Sequence, residues 1–261
     1  MISNLAYVHP DAVIGANVTI DPFAMIHNDV VIGDGTHIMS NATIFPCSRI
    51  GSHCQIFPGA VIGAVPQDLK FKGEITTTII GDNTTIRECV TINRGTEALG
   101  KTVVGKNCLL MAYVHVAHDC IVGDHVILAN SVNLAGHVII EDWAILEGYV
   151  GVSQFIRIGQ HCFIAGQTGV RKNVPPFVKA AREPLSFAGI NSIGLKRRGY
   201  SDEDINDIQE FYRTLFLRGH SISNALELIE QNNNSTLIKS IISFIRESEK
   251  GIIRGLSSGK E

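Results

Sequence analysis

Apolar and polar residues alternate along this chain with a period that neither an amphipathic helix nor a half-buried strand produces. Counting every sixth residue from Val8 to Val170 passes through 28 positions, and all but Asp68, Glu74 and Ala98 are Ile, Val or Leu. A helix repeats every ~3.6 residues and a strand every ~2, whereas a hexad repeat is a signature of parallel β-helices. Two side chains per hexad read as inward-facing, one small and one branched, as in Ala12 with Ile14, Ala42 with Ile44 and Ala60 with Ile62. That pair suits a short flat strand followed by a corner. Three such strands close a triangular coil of 18 residues. Coils stack at about 4.8 Å, so about nine of them make a prism roughly 40 to 45 Å long.

Glycine adds a longer period. Gly15, Gly33 and Gly51 recur every 18 residues, as do Gly105, Gly123 and Gly159 with Glu141 in the skipped place. The expectation is that glycine supplies a positive φ at a sharp corner. The register fails twice, over Gly63 to Glu74 and over Asn93 to Lys101. Both stretches read as loops thrown out from corners, at about residues 63–77 and 94–101, and loops on a rigid scaffold are where function tends to sit. Val174-Pro175-Pro176 ends the repeat, because proline cannot donate to a strand ladder. A linker to about Gly199 follows. Ser201 with Asp204 then forms a capping box, and Ile205, Ile208, Tyr212, Leu215 and Phe216 share one helical face. Further helices are expected from Asn224 to Gln231 and from Thr236 to Lys250, with fraying from Gly251 on. The expected organisation is a β-helix over residues 1–176, then a linker and an α-helical C-terminal domain over 177–261.

Composition narrows the class. The 261 residues are 45% hydrophobic and 18% charged, enough for one long domain and a small one. The amino terminus has no basic segment followed by an apolar run, so no signal peptide is read. There is no stretch of about 20 apolar residues to form an integral membrane segment. Together these place the chain in the cytoplasm. The six cysteines show no paired spacing of the zinc or disulfide kind. Cys54, Cys108, Cys120 and Cys162 stand two residues before a register aliphatic, where they read as small core fillers; that counts against Cys120 as a nucleophile. A net charge of −3 and the lack of a binding motif argue against nucleic acid. Between Arg171 and Arg198, seven basic residues face one acid, Glu183. Such a run is a solvated surface or a dock for an acidic protein, where charge steers encounter more than it sets affinity.

Several motifs point to one family. They are Gln67-Asp68-Leu69-Lys70, Ile86-Arg87-Glu88, Asn93-Arg94-Gly95-Thr96, His115-Val116-Ala117-His118-Asp119-Cys120, Leu134-Ala135-Gly136-His137, Gln154-Phe155 and Gly194-Leu195-Lys196-Arg197-Arg198-Gly199. Together with the hexads they resemble the UDP-N-acetylglucosamine O-acyltransferase family over nearly the whole chain. Many acyltransferases share hexads; the loop, the histidine pair and the Lys-Arg-Arg tail make the match specific. The resemblance implies a mainly β fold, a left-handed parallel β-helix of hexapeptide repeats with a small α-helical C-terminal domain, assembled as a homotrimer with active sites between subunits. It implies transfer of a (3R)-3-hydroxyacyl chain from acyl carrier protein to the 3-hydroxyl of UDP-N-acetylglucosamine, the first step of lipid A biosynthesis, with no cofactor. Two positions depart from the family pattern: Ser153 stands where histidine is usual, and Ile193 where glutamate is usual. Substrate contacts there are expected to differ in detail.

The site can also be argued from spacing. Adding 18 to His118 gives Gly136, and adding 18 again gives Gln154, so the three stack in one column. His118 stands two residues after an inward-facing Val116, at a corner and turned outward. Transfer to a sugar hydroxyl needs a general base, and a histidine serves near neutral pH. Asp119 would fix the imidazole tautomer and stabilise the imidazolium. The backbone N–H of Gly136 would donate to the thioester oxygen as charge develops there. The resemblance assigns the same roles. It also implies that His115 and His137 line the pocket, that Asp68 and Lys70 hold the sugar nucleotide, and that Asn191 and Arg197 contribute from the tail. Arginine suits diphosphate or uridine through its planar fork of donors. Gly148 and Gly166, also 18 apart, leave a bare stripe for an acyl chain; in the family the position matching Gly166 helps set chain length. No metal is expected: His115 with His118 as two ligands would leave the sugar-nucleotide motifs without a purpose. His9, His27, His37, His53, His125, His161 and His220 read as solvated turn residues.

Overall fold

The structure, a computed structural model, describes residues 1–232 and 235–255. The hexads form short strands, most of them two residues long, joined by corners and gathered into three walls. Wall 1 runs from Tyr7–Val8 to Gly169–Val170 in nine strands, wall 2 from Val13–Ile14 to Arg157–Ile158 in eight, and wall 3 from Thr19–Ile20 to Ser186–Ile190 in ten. Coil stacks on coil in parallel register, Met25 beside Thr43 and Leu110 beside Leu128. The result is a left-handed parallel β-helix of hexapeptide repeats. Its interior is the predicted one: from Ile20 on, the register aliphatics are buried, with small partners such as Ala24, Ala42, Cys54 and Ala60 beside them. Each fully buried Ile, Leu or Val contributes about 1.5–3 kcal/mol. Nearly one residue in six therefore pays into a single continuous core.

The corner glycines have a different cause from the one expected. None of Gly15, Gly33, Gly51, Gly81, Gly105, Gly123 and Gly159 has a positive φ. What excludes a side chain is the next coil: a Cβ on Gly81 would lie 2.6 Å from the carbonyl carbon of Gly105 and 2.7 Å from Lys106 N. At several of these corners an aspartate of the next coil reaches back, Asp124 Oδ1 accepting from Lys106 N at 2.7 Å and Asp142 Oδ1 from Asp124 N at 2.8 Å. The left-handed conformation falls instead three residues before the register aliphatic, on Asn17, Asn41, Asn107, Asp119, Trp143 and Phe155 among others. Asn and Asp tolerate it locally. Rings there stack between coils, as His125 does on Trp143 at 3.9 Å between centroids.

Both loops leave from the corner between walls 1 and 2. Residues 65–76 join Val61–Ala64 to Thr77–Ile80, and residues 94–100 join Thr91–Asn93 to Lys101–Val104. Val61 to Thr91 is 30 residues and Thr91 to His115 is 24, against 18 for an uninterrupted coil, so each insertion is a whole number of hexads. That is why the phase survives. His118 lies at the same corner, between His115–Val116 and Ile121–Val122.

Wall 3 continues past the prolines. Val178–Ala181 pairs in parallel with Phe163–Ile164, and Ser186–Ile190 folds back antiparallel on it. Most of the expected linker is therefore regular structure, these two strands followed by helix α1 (Ser192–Arg197). Helix α2 (Asp202–Phe216) begins with the predicted Ser201–Asp204 capping box. Helix α3 spans Ile222–Asn232 and α4 spans Thr236–Arg246. Tyr212, fully buried, donates its hydroxyl to Pro176 O at 2.6 Å and so ties α2 to the end of the prism. The segment expected to fray from Gly251 is attached instead: Ile252 and Ile253 are buried, and Asn173 N donates to Gly251 O at 3.0 Å. Two isoleucines are too few to announce a docked segment by periodicity. The part of that expectation on 256–261 lies outside the described residues. Among the described residues no helix is long and apolar enough to cross a membrane.

Candidate active site

At the corner between walls 1 and 2, His118 and Asp119 are nearly sealed from solvent, at 7% and 2% exposure. Asp119 takes the left-handed corner conformation (φ 58°), and its Oδ2 lies 2.8 Å from His118 Nδ1. A carboxylate only accepts, so Nδ1 carries the proton and Nε2 keeps its lone pair. Nε2 sits 3.9 Å from Asp68 Oδ2, which arrives on the first loop. Burial raises the pKa of Asp119, but the Thr96 hydroxyl, His118 and the Thr96 N–H outweigh it and hold the carboxyl below its ordinary range. Thr96 N donates to Oδ1 at 2.9 Å and Thr96 Oγ1 to Oδ2 at 2.6 Å. Asp119 N in turn donates to Thr102 Oγ1 at 2.9 Å.

One coil on, a Cβ at Gly136 would lie 2.6 Å from His118 Cε1 and 2.7 Å from Nε2, so the imidazole packs directly on the bare glycine. The Gly136 N–H meets no acceptor among the described residues. His137 sets its ring edge-on to His118, with centroids 5.2 Å apart, and stacks on Phe155 at 4.7 Å. His115 Nδ1 lies 2.7 Å from Thr91 Oγ1; burial, then the neighbouring His118, hold its pKa below the usual imidazole value.

A cleft of about 680 Å³ opens here, lined by Asp68, Lys70, His115, His118, Gly136 and Gln154 among others; His137, expected to line it, instead packs behind it against His118 and Phe155. Most of the residues linked by the 18-residue spacing meet here, His118, Gly136 and Gln154 on the cleft and Asp119 behind His118. Spacing alone misses Thr96, which lies in an aperiodic loop and whose one signal in the sequence is the motif Asn93-Arg94-Gly95-Thr96. Also absent from the candidates are Gly151 and Gly169, register partners in wall 1 that line the cleft and are 18 residues apart, a signal that was there to be read.

Other candidates lie elsewhere in the chain. Asn191 and Arg197 line a second cavity of about 550 Å³ with Trp143, Lys179 and Arg198, by the corner between walls 2 and 3. There Asn191 caps α1, Oδ1 accepting from Gly194 N at 3.2 Å while Nδ2 donates to His161 O at 2.9 Å. Gly148 and Gly166 stack at the third corner, where a Cβ on Gly166 would lie 3.0 Å from Gly148 O. They do not border the His118 cleft.

The reading of His161 as a solvated turn residue is wrong: it is 5% exposed, its ring lies between Trp143 and Phe177, and its Nε2 is 3.2 Å from Tyr200 Oη. Burial, then the Arg198 charge, push its pKa down to about 4. The C-terminal segment covers it, which a corner position cannot reveal. His37 is likewise engaged, 2.9 Å from Asp21 Oδ2, and His27 stacks on Phe45 at 4.9 Å. Cys120 is buried, its Sγ 3.1 Å from Ala135 O and its thiol pushed up to about 12 by burial, which leaves no thiolate for attack. His118, Asp119 and His137 present ligand-type atoms within 4.8 Å of one another. The Asp119 carboxylate is already committed to Thr96 and His118, so a cation there would have to displace both contacts.

Comparison with known proteins extends this picture. The model for domain 2 of UDP N-acetylglucosamine O-acyltransferase matches residues 173–253, and the bacterial transferase hexapeptide model matches 11–46 and 101–136. The chain is 48% identical over 255 residues to the acyl-[acyl-carrier-protein]–UDP-N-acetylglucosamine O-acyltransferase of Chlorobaculum parvum, covering 95% of this chain and 97% of that one. The crystal structure of a UDP-N-acetylglucosamine acyltransferase from Bacteroides fragilis superposes with a TM-score of 0.96 at 53% identity, covering 97% of this chain and 100% of that one. The enzyme of Francisella novicida superposes with a TM-score of 0.95 at 41% identity, covering 99% and 95% respectively.

Proposed function

This chain belongs to the family of acyl-[acyl-carrier-protein]–UDP-N-acetylglucosamine O-acyltransferases, and from that premise we propose how it acts. It is an acyltransferase that moves an acyl chain from acyl carrier protein to UDP-N-acetylglucosamine. We read the chain transferred as a (3R)-3-hydroxyacyl group, the acceptor as the glucosamine 3-hydroxyl, and the reaction as the first step of lipid A biosynthesis, carried out in the cytoplasm.

The observation that carries the mechanism is the His118 Nδ1 to Asp119 Oδ2 contact of 2.8 Å beside the cleft. Nε2 takes the sugar hydroxyl's proton as its oxygen attacks the thioester carbonyl. The C–O bond forms, the C–S bond breaks, and the imidazolium returns the proton to the leaving thiolate. Asp119 stabilises the imidazolium between these steps, and the free N–H of Gly136 receives the oxyanion. Asp68 and Lys70 on the first loop, with His115 and Gln154, hold the sugar nucleotide.

Asn191 and Arg197 line a cavity by another corner, so on this reading they meet the same substrate from a neighbouring protomer of a homotrimer. The hexad coils within residues 1–176 carry the chemistry. The C-terminal part, 177–261, carries those two residues and most of the basic stretch, which would dock the acidic carrier protein. The acyl chain would lie on a glycine stripe, either Gly148 with Gly166 or Gly151 with Gly169.

The test is acyl transfer to UDP-N-acetylglucosamine from 3-hydroxyacyl carrier proteins of several lengths or from acetyl-CoA. His118→Ala should lose about a hundred- to ten-thousandfold in rate. Gly166→Met should shift preference to shorter donors. Product from acetyl-CoA, or a His118→Ala protein as active as the parent, overturns the chemistry; unchanged chain preference in Gly166→Met removes that glycine from the acyl site.

A further inference from the structure

The second loop ends its path against the Asp119 carboxylate, whose two oxygens both take donors from it. Gly95 and Thr96 are buried, and the loop is fixed by Thr76 Oγ1 donating to Gly95 O at 2.6 Å and Gly100 N donating to Thr96 O at 2.7 Å. Gly95 is required because a Cβ there would lie 2.6 Å from Lys101 Cα. Thr96 Oγ1 already accepts from Ala98 N at 3.3 Å, and its single proton points at Asp119 Oδ2, 2.6 Å away. Oδ2 thus takes two donors, the Thr96 hydroxyl and His118 Nδ1, while Oδ1 takes the Thr96 N–H.

We propose that Thr96 is a positioning residue of the acyl transfer: its hydroxyl keeps Asp119 ionised and fixed, and through it keeps His118 in the tautomer whose Nε2 can act as base. This rests on the reading of His118 as general base. The second loop then has a use of its own, distinct from the first loop's reach toward the cleft. Removing the hydroxyl leaves the carboxylate one donor short in a buried place. It then attracts a proton to the pair more strongly, and the loss is greatest at low pH. The other titratable groups facing the pair are Asp68, His115 and His137; none of them supplies a replacement hydroxyl to Oδ2.

The experiment compares Thr96→Val and Thr96→Ser with the parent enzyme in the full protein, measuring kcat, KM and the pH profile of kcat/KM. Thr96→Val should lower kcat about ten- to a hundredfold, the range for one hydrogen bond to a charged group, with KM for UDP-N-acetylglucosamine unchanged. The acid limb of its kcat/KM profile should move to higher pH, and Thr96→Ser should restore both. In an Asp119→Asn background the valine substitution should cost nothing further, because Thr96 acts through Asp119. A Thr96→Val protein with the parental kcat and pH profile overturns the proposal, as does a loss that serine fails to rescue. If Thr96→Val does not fold, Thr96→Cys, with a weak S–H donor, carries the same expectation. His118→Ala, assayed in parallel, separates the outcomes: activity surviving there refutes the base itself, and activity lost there but kept in Thr96→Val refutes only the role of Thr96.

Discussion

Gly136 and the His118 imidazole occupy space that cannot hold one more methyl group. The Cβ of an alanine at 136 would sit 2.6 Å from Cε1 and 2.7 Å from Nε2, and the ring cannot tilt away without lengthening its 2.8 Å contact to Asp119. Gly136→Ala should therefore lower kcat about a hundredfold, the scale set by misplacing a reacting group by about 1 Å, while thermal unfolding shifts little. Steady-state kinetics and a melting curve of the same sample check both halves; parental kcat would show that the ring has room to move. His118, Asp119 and Gly136 were legible because two of them are adjacent and the third lies one coil away at 18 residues. Thr96 reaches Asp119 across 23 residues and an insertion that interrupts the hexads. No periodic argument connects such a pair; only the path of the loop does.

At the scale of strands and corners, the repeat told what faces inward and misled about why glycine stands at the turns. The interior follows from the alternation of a small and a branched residue, and it was legible throughout. Corner conformation was not, because the same glycine pattern fits a positive φ or a close approach of backbones, and only coordinates separate the two. Gly81 shows the difference most clearly. It falls outside the recurrence at 18 residues because whole-hexad insertions lie on both sides of it, yet its missing Cβ would meet three backbone atoms of Gly105 and Lys106 within 2.8 Å. Its φ is ordinary, so if backbone conformation were the only constraint Gly81→Ala would be harmless or slightly stabilising. The packing account predicts destabilisation by about 1–3 kcal/mol from forced separation of two coils. The thermal midpoint of Gly81→Ala, measured against the parent, decides between them.

At the scale of the whole chain, the substrate-binding candidates divide between two corners of the prism. Asp68, Lys70, His118 and Gln154 border the cleft beside walls 1 and 2, whereas Arg197 and Asn191 line the cavity by walls 2 and 3. A triangular prism turns these corners away from each other, so one nucleotide can meet both sets only where a second protomer brings its own edge alongside. Closed cyclic assemblies make such heterologous contacts, each protomer offering one edge to its neighbour. The consequence can be read without a structure of the assembly. His118→Ala and Arg197→Ala proteins should each transfer poorly alone. Co-expressed in equal amounts so that protomers mix at random, they should recover about a quarter of parental activity, since a site is intact when one protomer supplies His118 and its neighbour Arg197, each with probability about one half. The recovered activity should co-purify with particles carrying both protomers' affinity tags. Mixed particles with no more activity than the two parents would place both residues in the same protomer's site, and the second cavity would then need another occupant.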